Sequence, residues 1–181
     1  MSRKTIMTLH LYLAAFFAPI MLIVAVSGGL YLLGIKGEMV KGEAILLPGV
    51  VLDAEDTDEK TAQVRLALAD AGLDSDFEYL RERGAMMMTR PTSRDFYEIM
   101  PVEGGVQVTP VSPDFVAAMM QLHMGHGPGL FRILEQLMAA GLILTLLTGV
   151  VVGLQSPLLK TRTVGISAAG ILVFVIFAAL L

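Results

Sequence analysis

The sequence predicts a helical membrane protein with three transmembrane helices and one α+β domain outside the cytoplasm. Two observations predict it. Sixteen of the seventeen acidic residues fall within residues 38–114, and the chain on either side of them is almost wholly apolar. The positive charges around the long apolar runs form two clusters: Arg3 with Lys4 before the first run, and Lys160 with Arg162 between the second and third. Those runs are residues 6–33, 130–154 and 164–181. At about 1.5 Å of rise per residue each reaches across a hydrocarbon core of about 30 Å, the last only just. Basic residues collect on the cytoplasmic side of a membrane. The N-terminus is therefore expected inside, the acidic segment outside, and the C-terminus outside after two more crossings. The domains expected are a first transmembrane helix (1–35), an external α+β domain (36–128), a second transmembrane helix (129–155), a cytoplasmic loop (156–163) and a third helix (164–181).

Composition excludes several classes. Apolar residues make up 55% of the chain and mean hydropathy is +0.70, above the range of soluble domains. Residues 36–128 carry sixteen acids against eight Lys or Arg, a net charge of −8. That surface suits neither nucleic acid nor anionic headgroups, and fits a solvated domain or a cationic partner. The absence of cysteine removes disulfides, thiolate metal sites and thiol redox chemistry. An external domain of about 90 residues must then rest on its own core and its membrane anchors. The N-terminus has a competing reading as a cleaved signal peptide, with Ala25-Val26-Ser27 as the small-residue site. An uncleaved anchor is the expectation, because the apolar run continues through Leu30 to Leu33, past the usual 7–15 residues of a signal core.

Within the external segment the period of the pattern sets each element. Lys36 to Glu43 reads as a polar exit, and the apolar stretch 44–47 ends at the Pro48-Gly49 turn. Thr57 is expected to cap a helix that places Ala62, Leu66 and Ala69 on one stripe and stops at Gly72. The period then changes to two. Strands are expected around residues 77–82, 85–89 and 96–100, and a fourth through Val106, Val108 and Val111 after the Glu103-Gly104-Gly105 hairpin. A second helix is expected from Ser112 as cap and Pro113 as first helical residue, ending at Gly125.

Few residues carry chemistry. A bis-histidine haem needs two histidines at one depth, whereas His10 lies near the inner end of the first span and His123 and His126 lie beyond the outer end of the second, roughly 30 Å away along the helices. His10 is thus a haem candidate only across a homodimer or with another subunit; otherwise it is an interfacial polar residue. Met119, Met120, His123, Met124 and His126 crowd before the second span, and thioether with imidazole suits Cu(I). Against this, Met is a common core filler, and alternation forces Met87 to point away from Met86 and Met88. Arg132 and Glu135 lie three apart and are expected to pair on one helix face, in a structural role or against a partner helix. Gly149 and Gly153 form a small-residue face for close helix packing or a partner subunit.

The two longer spans echo each other, in Leu22-Ile23-Val24-Ala25-Val26-Ser27-Gly28 and Leu142-Ile143-Leu144-Thr145-Leu146-Leu147-Thr148-Gly149. Together with His10, with Leu122-His123 leading through Gly125, Gly127 and Gly129 into a span, and with a helix-then-strands order outside, this resembles the PepSY-associated transmembrane family. The resemblance covers most of residues 5–155. It implies a bacterial inner-membrane protein with a periplasmic PepSY-like domain. Members include larger haem-containing ferric-siderophore reductases and small proteins of unassigned role. For this chain the expectation is a non-enzymatic accessory, assembly or regulatory subunit with no cofactor, held in the lipid bilayer beside an integral membrane partner. The alternative is a component of a haem- or metal-dependent ferric-siderophore reductase or of a copper or iron-handling system, with haem b or copper as the cofactor.

Overall fold

A computed structural model describes residues 2–180; Met1 and Leu181, the last residue of the third expected span, lie outside the described residues. Three helices are long and apolar enough to cross a membrane: α1 (Arg3–Leu32), α4 (Gly129–Leu154) and α5 (Lys160–Ala179). Between α1 and α4 come β1 (Met39–Lys41), β2 (Ile45–Pro48), α2 (Thr57–Asp70), β3 (Tyr79–Arg83), β4 (Met86–Arg90), β5 (Phe96–Val102), β6 (Gly105–Pro113) and α3 (Phe115–His123). Helix α5 begins earlier than the apolar run suggests. The Ser156 carbonyl already accepts the Lys160 amide at 2.8 Å, so Lys160 and Arg162 sit in the first turn of the helix. Their long stems carry the charge away from the apolar surface.

The chain divides into two compact units. One comprises the first part of α1, through Ile23, with α4 from Gln136 and α5. The other is Val24–Glu135, which holds the end of α1, the whole sheet with α2 and α3, and the first turns of α4.

The sheet is antiparallel, in the order β1-β6-β5-β4-β3, with β2 also paired to β6. The meander from β3 to β6 follows the period-two segment of the sequence. Its last hairpin pairs Val102 with Gly105, which leaves Glu103 and Gly104 as the two-residue turn. Strand β6 is the longest and receives both early strands on the same side, Pro48 opposite Gly105 and Met39 opposite Pro113. The core lies between α2 and one sheet face, where Val64 and Leu68 meet Leu47, Leu80, Met87, Ile99, Val106 and Val108. Alternation holds in β4: Met87 is buried in this core, and Met86 and Met88 are only partly buried. Val111 has the opposite parity to Val108, so it serves the other face, where α3 lies against β6.

Three local expectations change. Strand β1 forms where a polar exit was expected, because β6 supplies a partner edge that no local pattern announces. The cap of α2 is Asp56, not Thr57; its carboxylate accepts the amides of Asp58 and Glu59 at 2.9 and 3.2 Å. The cap of α3 is Asp114, which accepts the Ala117 amide at 2.7 Å. Ser112 and Pro113 are drawn into β6 by their pairing with Val40 and Met39. One glycine is required by geometry: Gly37, at φ +73, lies where a Cβ would strike the backbone of Ala117, so only glycine lets the chain leave α1 across the start of α3.

Candidate functional site

The end of α1 and the end of α3 enclose a cavity of about 280 Å³, lined by Ser27, Gly28, Tyr31, Met120, His123 and Met124. The polar centre of this cavity is a hydrogen-bonded pair. The Ser27 hydroxyl donates to the Val24 carbonyl at 2.9 Å, which uses its one proton. It therefore accepts from His123 Nδ1, 2.8 Å away. The proton of the neutral His123 ring is thereby fixed on Nδ1, and Nε2 keeps its lone pair. A Cβ on Gly28 would lie 3.4 Å from His123 Cε1, so this glycine keeps the edge of the ring open. Met120 and Met124 are one helical turn apart, and the Met124 amide caps α3 by donating to the Met120 carbonyl at 3.0 Å. Met119 does not line the cavity.

His126 belongs elsewhere. Its Nδ1 donates to Gln121 Oε1 at 2.9 Å, and the same oxygen accepts from the Thr92 hydroxyl at 2.7 Å. Arg90 Nη1 donates to that hydroxyl at 2.8 Å. Arg90 is buried, and its Nε has no hydrogen-bond partner. Burial first, and then the positive charges of Arg90 and Arg81, hold the His126 pKa below the ordinary histidine value.

His10 is held by α4. Its Nδ1 lies 3.1 Å from the Thr145 carbonyl and 3.1 Å from the Thr148 hydroxyl. A carbonyl only accepts, so His10 also donates through Nδ1. Gly149 makes the contact possible. A side chain on a helix covers the turn before it, and here a Cβ would come within 3.1 Å of the His10 ring. Gly153 faces the side chain of Thr163 on α5. The two glycines expected to form a packing face thus each meet a group of this same chain.

Arg132 and Glu135 do not form the expected ion pair. Among the described residues the ion pairs are Lys41–Glu98 and Lys60–Glu82. Arg132 instead stacks on Tyr79, its guanidinium carbon 5.3 Å from the ring centroid. The carboxylate that matters at this helix end is Glu78, just before β3. Its two oxygens accept the Gly129 amide at 3.0 and 2.9 Å, which caps the N-terminus of α4 from the sheet. Glu78 was hidden in the sequence as one more polar position in an alternating run. Ser27 was visible only as a small residue suited to helix packing. No family model, curated protein or solved structure matches the chain.

Proposed function

We propose that this chain is a non-enzymatic accessory, assembly or regulatory subunit of a larger membrane system. In this reading it sits in a bacterial inner membrane with a cytoplasmic N-terminus, and its sheet domain is PepSY-like and periplasmic. One observation carries the reading: Val24–Glu135 is a single compact unit that joins the sheet to the ends of two membrane-spanning helices. The joints are specific, with Ser27 bonded to His123 and Glu78 bonded to Gly129. Whatever engages the sheet therefore acts directly on the ends of α1 and α4. A second support is α5, in which no residue is buried, so that most of its apolar surface is offered to lipid or to a partner helix.

The test is the state of the chain in native membranes. Solubilised at its natural abundance, it should migrate as part of a complex well above its own 19.4 kDa, and its deletion should deplete another membrane protein. A chain that runs wholly as a monomer, and whose deletion changes no other membrane protein, would overturn the role. Orientation has its own test. A reporter active only outside the cytoplasm should be active after Gly72 and inactive at Lys160.

A second reading, a haem-linked electron carrier, is favoured by one feature: His10 donates through Nδ1 and so keeps Nε2, the usual ligand atom, free. It requires a second copy or another subunit to supply the other ligand. A Soret band in the pure protein that disappears in His10→Ala would establish it; a colourless protein removes it.

A further inference from the structure

We propose that the cavity at the end of α3 binds a soft monovalent metal ion of the Cu(I) class, through the thioethers of Met120 and Met124 and the Nε2 of His123. The three residues stand at i, i+3 and i+4 of one helix end, which brings them to one face. All three line the same cavity of about 280 Å³.

Three features go beyond a methionine-rich surface. First, His123 is already oriented as a metal ligand. Its Nδ1 donates to Ser27, and such an outer bond fixes the ring and the tautomer of most metal-bound imidazoles. Second, the donor set is neutral. No carboxylate is among the residues that line the cavity. Ca²⁺ and Mg²⁺ require oxygen ligands, which this set lacks. Two thioethers and an imidazole suit Cu(I), which carries one charge and accepts low coordination numbers. Third, Met124 does not behave as core filler. Met87 shows what a core methionine looks like in this chain, at 4% exposure within the cluster around Ile99. Met124 is 45% exposed at the cavity, and His123 is exposed beside it. A flexible thioether left at the mouth of a cavity serves a visiting ligand better than it serves packing. Met120, buried at the base, is the fixed donor, and Met124 is the one that closes over the ion.

This site is independent of the accessory role. Its test uses the purified full-length chain without any partner, so its failure leaves that role untouched. The protein, in detergent or nanodiscs and under anaerobic conditions, is titrated against a Cu(I)–bicinchoninate complex. One ion per chain should be withdrawn from the chelator. Met120→Leu and Met124→Leu conserve volume, and each should weaken binding at least about 10-fold; His123→Gln should abolish it. Ser27→Ala should weaken binding about 10-fold through loss of the outer bond. Met119→Leu and Met86→Leu should bind as the parent does. Thermal unfolding of each variant without metal confirms that it is folded, and X-ray absorption of the loaded protein should show two sulfur ligands and one nitrogen. Parent-like Cu(I) affinity in a folded Met120→Leu/Met124→Leu double variant would overturn the proposal. So would Zn²⁺ binding as tightly as Cu(I), or an absorption spectrum with oxygen and nitrogen neighbours alone.

Discussion

His10 and His123 use the same hydrogen-bonding device in two regions of the molecule, and their surroundings make them different residues. Each ring donates from Nδ1 to an oxygen of another helix, and each sits beside a glycine that leaves the ring room. His10 has two acceptors, the Thr145 carbonyl and the Thr148 hydroxyl, and a Cβ on Gly149 would come within 3.1 Å of its ring. His123 has one acceptor, Ser27, a glycine whose added Cβ would still clear its ring at 3.4 Å, and two methionines on an open cavity. The first arrangement is a clamp between α1 and α4. The second is a ring aimed and held, with room left for something else. The residue type and tautomer do not decide what a histidine does; the number of acceptors and the free volume beside the ring decide it.

The clamp breaks most easily at its glycine. Gly149→Leu places a branched side chain against the His10 ring and over the Thr145 carbonyl. Overpacking costs about 1–3 kcal/mol, and a lost interhelical hydrogen bond adds about 1 kcal/mol, so the helix pair should lose about 2–4 kcal/mol. Membrane insertion should stay normal, because hydropathy rises. Gly28→Ala, by contrast, meets ordinary van der Waals contact and should change stability by less than about 0.5 kcal/mol. Unfolding in mixed detergent micelles measures both. Equal losses at the two glycines would dissolve the distinction between clamp and cavity.

Next in size is the carboxylate that fixes the second region. Glu78 supplies the cap that α4 cannot supply for itself, since Pro128 and Gly127 precede the helix and carry no acceptor side chain. Glu78→Ala should cost about 1 kcal/mol. The loss should be local, read as faster amide exchange in the first turn of α4, while the His10 clamp is unaffected. Exchange that quickens along the whole of α4 would mean that the two regions are not separate.

What the sequence discloses here follows from range. The three spans are visible because hydropathy is written residue by residue along each helix, and β3 to β6 are visible because the period of two is local as well. Strand β1 is not, since three residues of weak pattern become a strand only through their pairing with β6. The caps of α2 and α3 were misplaced by one or two residues because Thr57 and Ser112 are good caps by type; Asp56 holds the better geometry, and Ser112 is taken by the sheet. The site divides in the same way. His123 and its methionine neighbours stand out by composition, but the Ser27 bond joins positions 96 apart and the Glu78 bond joins positions 51 apart. No spacing rule connects such residues. Arg132 was paired with Glu135 by the helix repeat, and the repeat knew nothing of Tyr79.

The count of acceptors gives a finer test. Thr148→Val leaves His10 with the Thr145 carbonyl, so its proton should remain on Nδ1 and stability should fall by about 0.5 kcal/mol. Ser27→Ala removes the only acceptor that His123 has among the described residues, and about 1 kcal/mol with it. Nitrogen NMR of the imidazoles should then show His123 shifting toward the mixed tautomers of a solvated ring, while His10 holds. A His123 ring that kept its tautomer without Ser27 would mean that another group orients it.

The smallest effect separates His126 from both. It too donates through Nδ1, to Gln121, but it alone of the three is held beside buried Arg90. Burial and the charges of Arg90 and Arg81 disfavour its protonated form, so its folded pKa lies below the unfolded value of about 6.5. The sign follows from proton counts. Near pH 6 the unfolded chain binds more protons at this residue than the folded chain does, so stability rises with pH there. The contribution is fully present above the unfolded pKa and is lost as pH falls through the folded one. The ring is partly exposed, so solvent screening keeps the effect small. Between pH 7.5 and pH 5.5 the unfolding midpoint of the parent should fall by a degree or two more than that of His126→Asn, whose side chain can still donate to Gln121 but does not titrate. Identical slopes for the two proteins would show that the Arg90 network tolerates the proton. An equal flattening by His123→Asn would mean that the acid response belongs to the methionine cavity instead.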